Sequence, residues 1–178
     1  MEKEKLQQHL TELRRDLHRH PEKAFEEVRT AGIVAEELKK LGLDVHTGIG
    51  KTGIVANLKV GDGTKVIGLR ADMDCITIND KGNHDHVSTV PGKMHGCGHD
   101  GHTITLLGAA ALLAERKDFN GTVRFIFQPA EEPGKGAQAM IDDGLFERFP
   151  VDEIYGLHNS PNLPFGTINT CVGGMMAS

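Results

Sequence analysis

The 178-residue sequence lacks the features that mark a membrane or secreted protein. It has no apolar run long enough to cross a bilayer, and its N-terminus, MEKEKLQQHL, lacks the basic-then-apolar layout of a secretory signal. It also lacks a basic excess, because 20 dispersed Lys and Arg residues stand against 25 Asp and Glu residues, for a net charge of −5. We therefore expect one soluble globular domain in the cytoplasm, with neither a membrane nor a nucleic acid as its partner.

Cysteine is scarce as well. The three cysteines, Cys75, Cys97 and Cys171, are odd in number and widely spaced. Together with the missing export signal, this argues against a disulfide framework and favours free or metal-bound thiols in a reducing compartment.

Apolar periodicity predicts four helices. Leucines at 6, 10, 13 and 17 indicate a first helix that ends near His20, before Pro21. A second helix is predicted from about Phe25 to a C-terminal glycine, Gly42. Residues 102–116, with Asp100 as the N-cap, and residues 134–146 are predicted to form the other two.

Short runs rich in β-branched residues predict the strands. The runs at 53–60 and 65–73 flank the turn sequence GDGT and are predicted to form a hairpin. Three more strands are predicted, at 121–129, 151–158 and 165–174. Because strands and helices then alternate, the fold class is predicted to be α/β, with a mixed, mostly parallel sheet covered by helices on both faces.

Metal-ligand residue types follow the predicted strands. Asp72 and Asp74 follow the strand residues 65–71, Glu131 and Glu132 follow 121–128, and His158 follows 151–157, while Cys97 and His99 precede the long helix. Since the carboxyl ends of parallel strands meet at one edge of a sheet, these side chains should converge. Thiolate, imidazole and carboxylate are the usual ligands of catalytic zinc and related ions.

The adjacent pair Glu131 and Glu132 suggests two different roles for neighbouring carboxylates. One carboxylate can bind the ion while the other takes a proton from the water that the ion activates, which is typical of amide or ester hydrolysis. The residues alone leave simpler interpretations open: a polar loop around a buried Cys97, and a solvated acidic pair at a helix N-terminus. His102 is interpreted as a packing or hydrogen-bonding residue near the site.

The other histidines considered are interpreted as structural or surface residues with no catalytic role. NHDHV, residues 83–87, is interpreted as a solvated surface, and His18 and His20 as residues that end the first helix. His95 is either loop filler or a neighbour of the site.

The stretch GIGKTG, residues 48–53, resembles a nucleotide-binding glycine loop. It lacks the upstream glycine of a Walker loop, and a strand-like run follows it where a dinucleotide fingerprint requires a helix. It is therefore predicted to be a turn between strands.

Several ordered motifs resemble one family. They are LHRHPE (17–22), GKTGIVA (50–56), GLRADMD (68–74), GKMHGCGHDGHT (92–103), FQPAEE (127–132) and GLHNSP (156–161). In order and spacing they are similar to the metal-dependent amidohydrolases and peptidases that include hippurate hydrolase, N-acyl-amino-acid amidohydrolase and indoleacetyl-amino-acid hydrolase. The resemblance implies hydrolysis of N-acyl amino acids, small-molecule substrates, by a three-layer αβα catalytic domain.

The resemblance also implies roles for individual residues. Cys97, His99, Glu132 and His158 would bind one or two divalent ions (Zn, Mn, Co or Ni), Glu131 would be the general base, and Asp74 would support the centre. Family members are about twice as long. Residues 1–178 are therefore expected to be the N-terminal portion of the catalytic domain, without the lid and dimerisation domain and without the domain's C-terminal part. The resemblance implies that the full-length form can be a homodimer. A catalytically inactive metal-binding remnant or interaction module is the alternative.

Overall fold

The computed structural model describes residues 3–173, which form five helices and five strands. The helices are α1 (Lys3–Arg19), α2 (Val28–Lys40), α3 (His99–Arg116), α4 (Gly136–Asp142) and α5 (Leu145–Arg148). The strands are β1 (Asp44–Ile49), β2 (Gly53–Val60), β3 (Val66–Asp72), β4 (Gly121–Gln128) and β5 (Glu153–Gly156). No helix within this range has the length and apolar character needed to span a membrane.

The five strands form one mixed sheet in the order β1-β2-β4-β3-β5. β1 with β2 and β2 with β4 are antiparallel pairs, whereas β3 runs parallel to both β4 and β5. The carboxyl ends of β3, β4 and β5 therefore lie at the same edge. This is the edge where the sequence predicted the ligand-type residues to meet.

The predicted hairpin between β2 and β3 is wrong. β4 lies between them, pairing Lys59 of β2 with Thr122 and Ile67 of β3 with Val123. β4 is buried along almost its whole length, which fits its central position in the sheet between β2 and β3. The GDGT stretch instead passes beside the start of β4, where the Gly63 N–H donates to the side-chain oxygen of Asn120 at 2.7 Å.

The hairpin is formed by β1 and β2, across residues 50–52. β1 was not identified from the sequence, but the interpretation of GIGKTG as a turn between strands is confirmed. Gly48 and Gly50 adopt φ values of 81° and 61°, which lie in the left-handed region that favours glycine.

Helices cover both faces of the sheet, which confirms the three-layer architecture. Phe125 and Phe127 of β4 face α1, α2 and α3 and belong to the larger apolar core. Ile126, between them, faces the opposite side and packs with Met140 of α4 and Leu145 of α5. The alternation along β4 is the two-residue period of a strand buried on both faces.

Some predicted boundaries differ from the observed ones. α2 begins at Val28 rather than Phe25, because Phe25 has a φ of 62° that a right-handed helix does not allow. The predicted helix over 134–146 is divided by Gly144, at φ 80°, into α4 and α5. Residues 165–173 form no strand, and residue 174 of that prediction lies outside the described residues.

Candidate metal centre

His99 lies at the centre of the site, as the first residue of α3. Its side chain is fully buried, and Nδ1 donates to the Asp74 carbonyl oxygen at 2.9 Å. Nε2 has no hydrogen-bond partner among the described residues. Because the Nδ1 contact fixes the tautomer, Nε2 presents its lone pair to the surrounding groups, as it does in most metal-binding histidines.

Carboxylate oxygens surround this free nitrogen. The distances from His99 Nε2 are 3.7 Å to Asp72 Oδ2, 3.7 Å to Glu131 Oε2 and 3.8 Å to Glu132 Oε1. Burial acts to lower the pKa of His99, but the hydrogen bond to Asp74 and the negative charge of Asp72 outweigh it and raise the pKa. The position therefore favours positive charge, either a proton or a bound cation.

Asp74 organises the loop that carries the two glutamates. Its buried carboxylate accepts the backbone N–H of Glu131 at 2.9 Å through Oδ1 and that of Glu132 at 3.1 Å through Oδ2. One rigid group thus fixes both glutamates at the carboxyl end of β4. Asp74 therefore positions the side chains of Glu131 and Glu132 by holding their backbone.

Glu27, which the sequence did not single out, supports the same loop from the other side. It is fully buried, and it accepts the Ala130 N–H at 2.8 Å and the Thr52 hydroxyl at 2.6 Å. Burial raises the pKa of Glu27, and these hydrogen bonds act in the opposite direction. Ala130 itself has a φ of 49°, a strained value for a residue with a side chain.

Cys97 and His158 complete the cluster on the side facing β5. Cys97 Sγ lies 3.4 Å from His158 Nε2, and ligand atoms of Cys97, His99 and His158 all lie within 4.8 Å of one another. Burial raises the pKa of the Cys97 thiol to about 11, and the charges of Glu132 and Glu131 add to the shift. The thiol is therefore protonated near neutral pH unless a cation compensates the negative charge.

A hydrogen-bonded chain runs from β3 to the segment after β5. His102 Nδ1 donates to Asp72 Oδ1 at 2.6 Å, because an ionised carboxylate can only accept. His102 Nε2 contacts Asn159, with the side-chain oxygen Oδ1 at 2.5 Å and the backbone nitrogen at 3.1 Å. Arg70 donates to the other Asp72 oxygen at 2.7 Å. Burial acts to raise the pKa of Asp72, but the bond from His102 and the charges of His99 and Arg70 lower it to about 2. His102 thus lies beside the site as a hydrogen-bonding residue.

A divalent cation fits this arrangement. Burial raises the pKa of Glu132, partly opposed by His99, and it raises the pKa of Cys97 as described above. A bound cation would stabilise the ionised forms of Glu132 and Cys97, which burial disfavours. It would also accept the lone pair of His99 Nε2. The structure brings together the six residues predicted as catalytic or metal-binding, with Asp74, Cys97, Glu131, Glu132 and His158 all lying around His99.

Asp100 does not cap α3, contrary to the sequence prediction. The N-cap position is Gly98, at φ 92°, and Asp100 lies in the first helical turn with its side chain buried. There it accepts His18 Nδ1 and pairs with Arg14 Nε, both at 2.8 Å. His18 is therefore a buried hydrogen-bonding residue and more than a helix terminus. His95 is buried as well, and burial lowers its pKa to about 4.

Comparison with solved structures and curated proteins places the fold in a known class. The structure matches the YXEP protein of Bacillus subtilis, described as a dinuclear metal-binding peptidase of the M20 family, with a TM-score of 0.86 and 40% identity over 91% of this chain. A putative aminohydrolase from methicillin-resistant Staphylococcus aureus matches with a TM-score of 0.80 and 41% identity over 87% of the chain. The chain thus has the catalytic-domain fold of metal-dependent peptidases.

The sequence comparisons identify the family. Residues 68–173 match the model of peptidase family M20/M25/M40, and the chain belongs to that family. It is 47% identical to hippurate hydrolase of Campylobacter jejuni over 97% of its length, and 43% identical to N-acetylcysteine deacetylase of B. subtilis over 95%. The chain spans only 45% and 44% of those two proteins, respectively.

Proposed function

We propose that this chain is the N-terminal portion of the catalytic domain of a metal-dependent hydrolase that cleaves the amide bond of N-acyl amino acids. Cys97, His99, Glu132 and His158 would hold a divalent ion, with zinc, manganese, cobalt and nickel all compatible with this mixture of ligands. The observation that carries the proposal is the pair of neighbouring glutamates, both fixed by Asp74 and both within 3.8 Å of the free His99 nitrogen.

The surroundings of the two glutamates support different roles. The Glu132 side chain is 28% exposed and its Oε1 lies 3.8 Å from His99 Nε2, which supports a role as a metal ligand. The Glu131 side chain is 40% exposed and can meet water and substrate. A divalent ion at this position would polarise the amide carbonyl and acidify water. The Glu131 carboxylate would accept the proton of the attacking water and deliver it to the nitrogen of the departing amine.

The other residues of the site would hold these groups in place. Asp74 fixes the backbone of both glutamates, and Asp72 positions His102 beside the segment that carries His158. The names of two related proteins, hippurate hydrolase and N-acetylcysteine deacetylase, support small N-acyl amino acids as the substrate class.

A glutamine substitution tests the role of Glu131. In the full-length protein, we expect Glu131→Gln to lower kcat for hippurate and N-acetyl amino acids by about 10²–10⁴-fold, because the amide cannot accept the proton. The content of bound zinc or manganese, measured by mass spectrometry, should not change. Glu147→Gln, on the exposed surface of α5, is the matched control and should retain full activity.

Two results would contradict the proposal. Normal turnover by the Glu131→Gln variant would show that the general base is another group. A metal-loaded wild-type protein that hydrolyses none of these substrates would instead favour a catalytically inactive metal-binding module.

A further inference from the structure

A second group of metal-ligand side chains lies away from the centre around His99. It consists of His18, near the end of α1, with Asp80 and His84 from the long segment between β3 and α3; we refer to these three residues as the α1 cluster. Their ligand atoms all lie within 4.8 Å of one another, and His18 Nε2 is 3.7 Å from Asp80 Oδ2. The side chains of His18 and Asp80 are only 6% and 2% exposed.

His18 is oriented as a metal ligand. Asp100 Oδ2 lies 2.8 Å from His18 Nδ1, and because an ionised carboxylate can only accept, Nδ1 carries the hydrogen and Nε2 the lone pair. Nε2 is buried and has no hydrogen-bond partner in the part of the chain that the structure describes. A histidine whose second nitrogen donates to a carboxylate is the usual arrangement in protein metal sites.

Asp80 is held in a fixed orientation by its own segment. Oδ1 accepts the Gly82 N–H at 2.8 Å and Oδ2 accepts the Ser88 N–H at 2.9 Å. These bonds use one lone pair on each oxygen and leave the others available, since a carboxylate offers about four acceptor positions. The carboxylate is thus ionised, buried and only partly satisfied beside an imidazole lone pair.

His84 closes the cluster on the solvent side. Its ring stacks on His86, with the centroids 4.0 Å apart, and Arg14 Nη1 lies 3.2 Å from His86 Nε2. The nearby positive charge of Arg14 is balanced by its ion pair with Asp100. His84 is therefore held where it can bind an ion that enters from solvent.

We propose that His18, Asp80 and His84 form a second divalent-metal site, of the zinc class. Two imidazole nitrogens and one carboxylate oxygen are a common zinc ligand set, with water in the fourth position. Ligand atoms of a tetrahedral zinc ion lie roughly 3.4 Å apart, so the observed 3.7 Å between His18 and Asp80 needs little adjustment. The site ties α1 to the segment before α3, and it does not depend on the proposed hydrolytic function.

The two centres meet in the first turn of α3. His99 belongs to the central site, and its neighbour Asp100 holds His18 of the α1 cluster. The sequence interpretation of residues 83–87 as a solvated surface accounts for the exposure of His84 but not for the buried, unpartnered nitrogen of His18.

Zinc stoichiometry tests this second site. The full chain is equilibrated with Zn²⁺, separated from free ion, and its zinc measured by mass spectrometry. We expect His84→Gln to lose one equivalent of zinc relative to wild type, and His46→Gln, a control on β1 in the outer part of the sheet, to lose none. With Co²⁺, the sulfur-to-metal charge-transfer band of the Cys97 site should be the same in both variants. Equal zinc content in wild type and His84→Gln would overturn the proposal.

A measurement on the wild-type protein is independent of how the variant folds. Crystals soaked in Zn²⁺ should show an anomalous-scattering peak between His18 Nε2 and the Asp80 carboxylate. Water or no density there, with zinc present at the His99 centre, would also overturn the proposal.

Discussion

Gly136 shows how a single residue shapes the loop that carries the two glutamates. Its N–H donates to the Ala130 carbonyl at 2.9 Å, which closes residues 130–136 into a compact turn. A Cβ atom at this position would lie 1.5 Å from the Pro129 carbonyl oxygen, far inside van der Waals contact. Only glycine fits, because the obstacle is backbone that cannot move without moving Glu131.

We therefore expect Gly136→Ala to lower the free energy of unfolding by about 3 kcal/mol, the upper part of the range for overpacking. Urea denaturation of the purified chain measures this. Gly32→Ala is the matched control, because nothing lies within 4 Å of its added Cβ on the exposed side of α2 and alanine favours helix there. A Gly136→Ala variant as stable as Gly32→Ala would show that the loop accommodates the methyl group.

The residue types at the site could be predicted from the sequence, but several of their partners could not. Cys97, His99 and the two glutamates stand out because their chemistry is distinctive and each follows or precedes a recognisable element. Glu27 gave no such signal, because its bond to Ala130 spans 103 positions. Asp100 was misassigned because an acidic residue at a helix start is typical of an N-cap, and the buried His18 that it contacts comes from α1.

At the scale of elements, α1 and α2 are joined by a polar contact as well as by the apolar core. His9 Nε2 of α1 lies 2.6 Å from Glu37 Oε2 of α2, and Lys40 donates to the other Glu37 oxygen at 2.6 Å. Burial acts to raise the pKa of Glu37, but the hydrogen bonds from Lys40 and His9 outweigh it and lower the pKa. The ionised form is thus favoured more in the folded chain than in the unfolded chain.

The sign of the pH dependence follows from that shift. A carboxyl group whose folded pKa lies below the unfolded value of 4.5 stabilises the fold above pH 4.5, and the contribution disappears as the pH falls through the folded pKa. We expect Glu37→Gln to lower the free energy of unfolding by about 0.5 kcal/mol at pH 7, as for other partly exposed ion pairs. The difference from wild type should therefore be smaller at pH 3 than at pH 7.

Urea titrations at both pH values measure the effect of Glu37→Gln. Glu36→Gln, on the exposed side of the same helix, is the control and should show a smaller change. A Glu37→Gln difference that is equal at pH 7 and pH 3 would show that the contact stabilises through packing and not through charge.

Most elements could be predicted from local patterns, whereas the pairing of strands could not. The runs rich in β-branched residues identify β2 and β4 as strands, but they do not say which strand lies alongside. The turn residues between β2 and β3 are compatible with a hairpin, and only the later arrival of β4, more than 50 residues along the chain, separates the two strands. β1 was missed for a different reason: its six residues carry little apolar character, so no local pattern indicates a strand there.

At the scale of the whole molecule, the buried negative charge around His99 destabilises the fold unless a cation balances it. We expect Zn²⁺ to stabilise the chain by about 2.7 kcal/mol at a free concentration of 100 times Kd, and to raise the melting temperature accordingly. The measurement is best made in the His84→Gln background, so that only the central site contributes. Mg²⁺, which prefers an all-oxygen ligand set, should have little effect at the same concentration.

Replacing the thiol locates the origin of that stabilisation. Cys97→Ser should reduce the zinc-induced shift of the melting temperature, since a hydroxyl is a much poorer zinc ligand than a thiolate. An unchanged shift in Cys97→Ser would place the bound ion elsewhere in the molecule.

The position of β5 at the outside of the sheet has a consequence for the central site. His99 lies on α3 and the backbone of Glu132 is held by Asp74, whereas His158 follows a four-residue strand that is exposed throughout and, among the strands that the structure describes, pairs with β3 alone. Binding of an ion through His158 would therefore also stabilise the position of β5. By thermodynamic reciprocity, any contact that stabilises β5 would raise the affinity of the site for the ion.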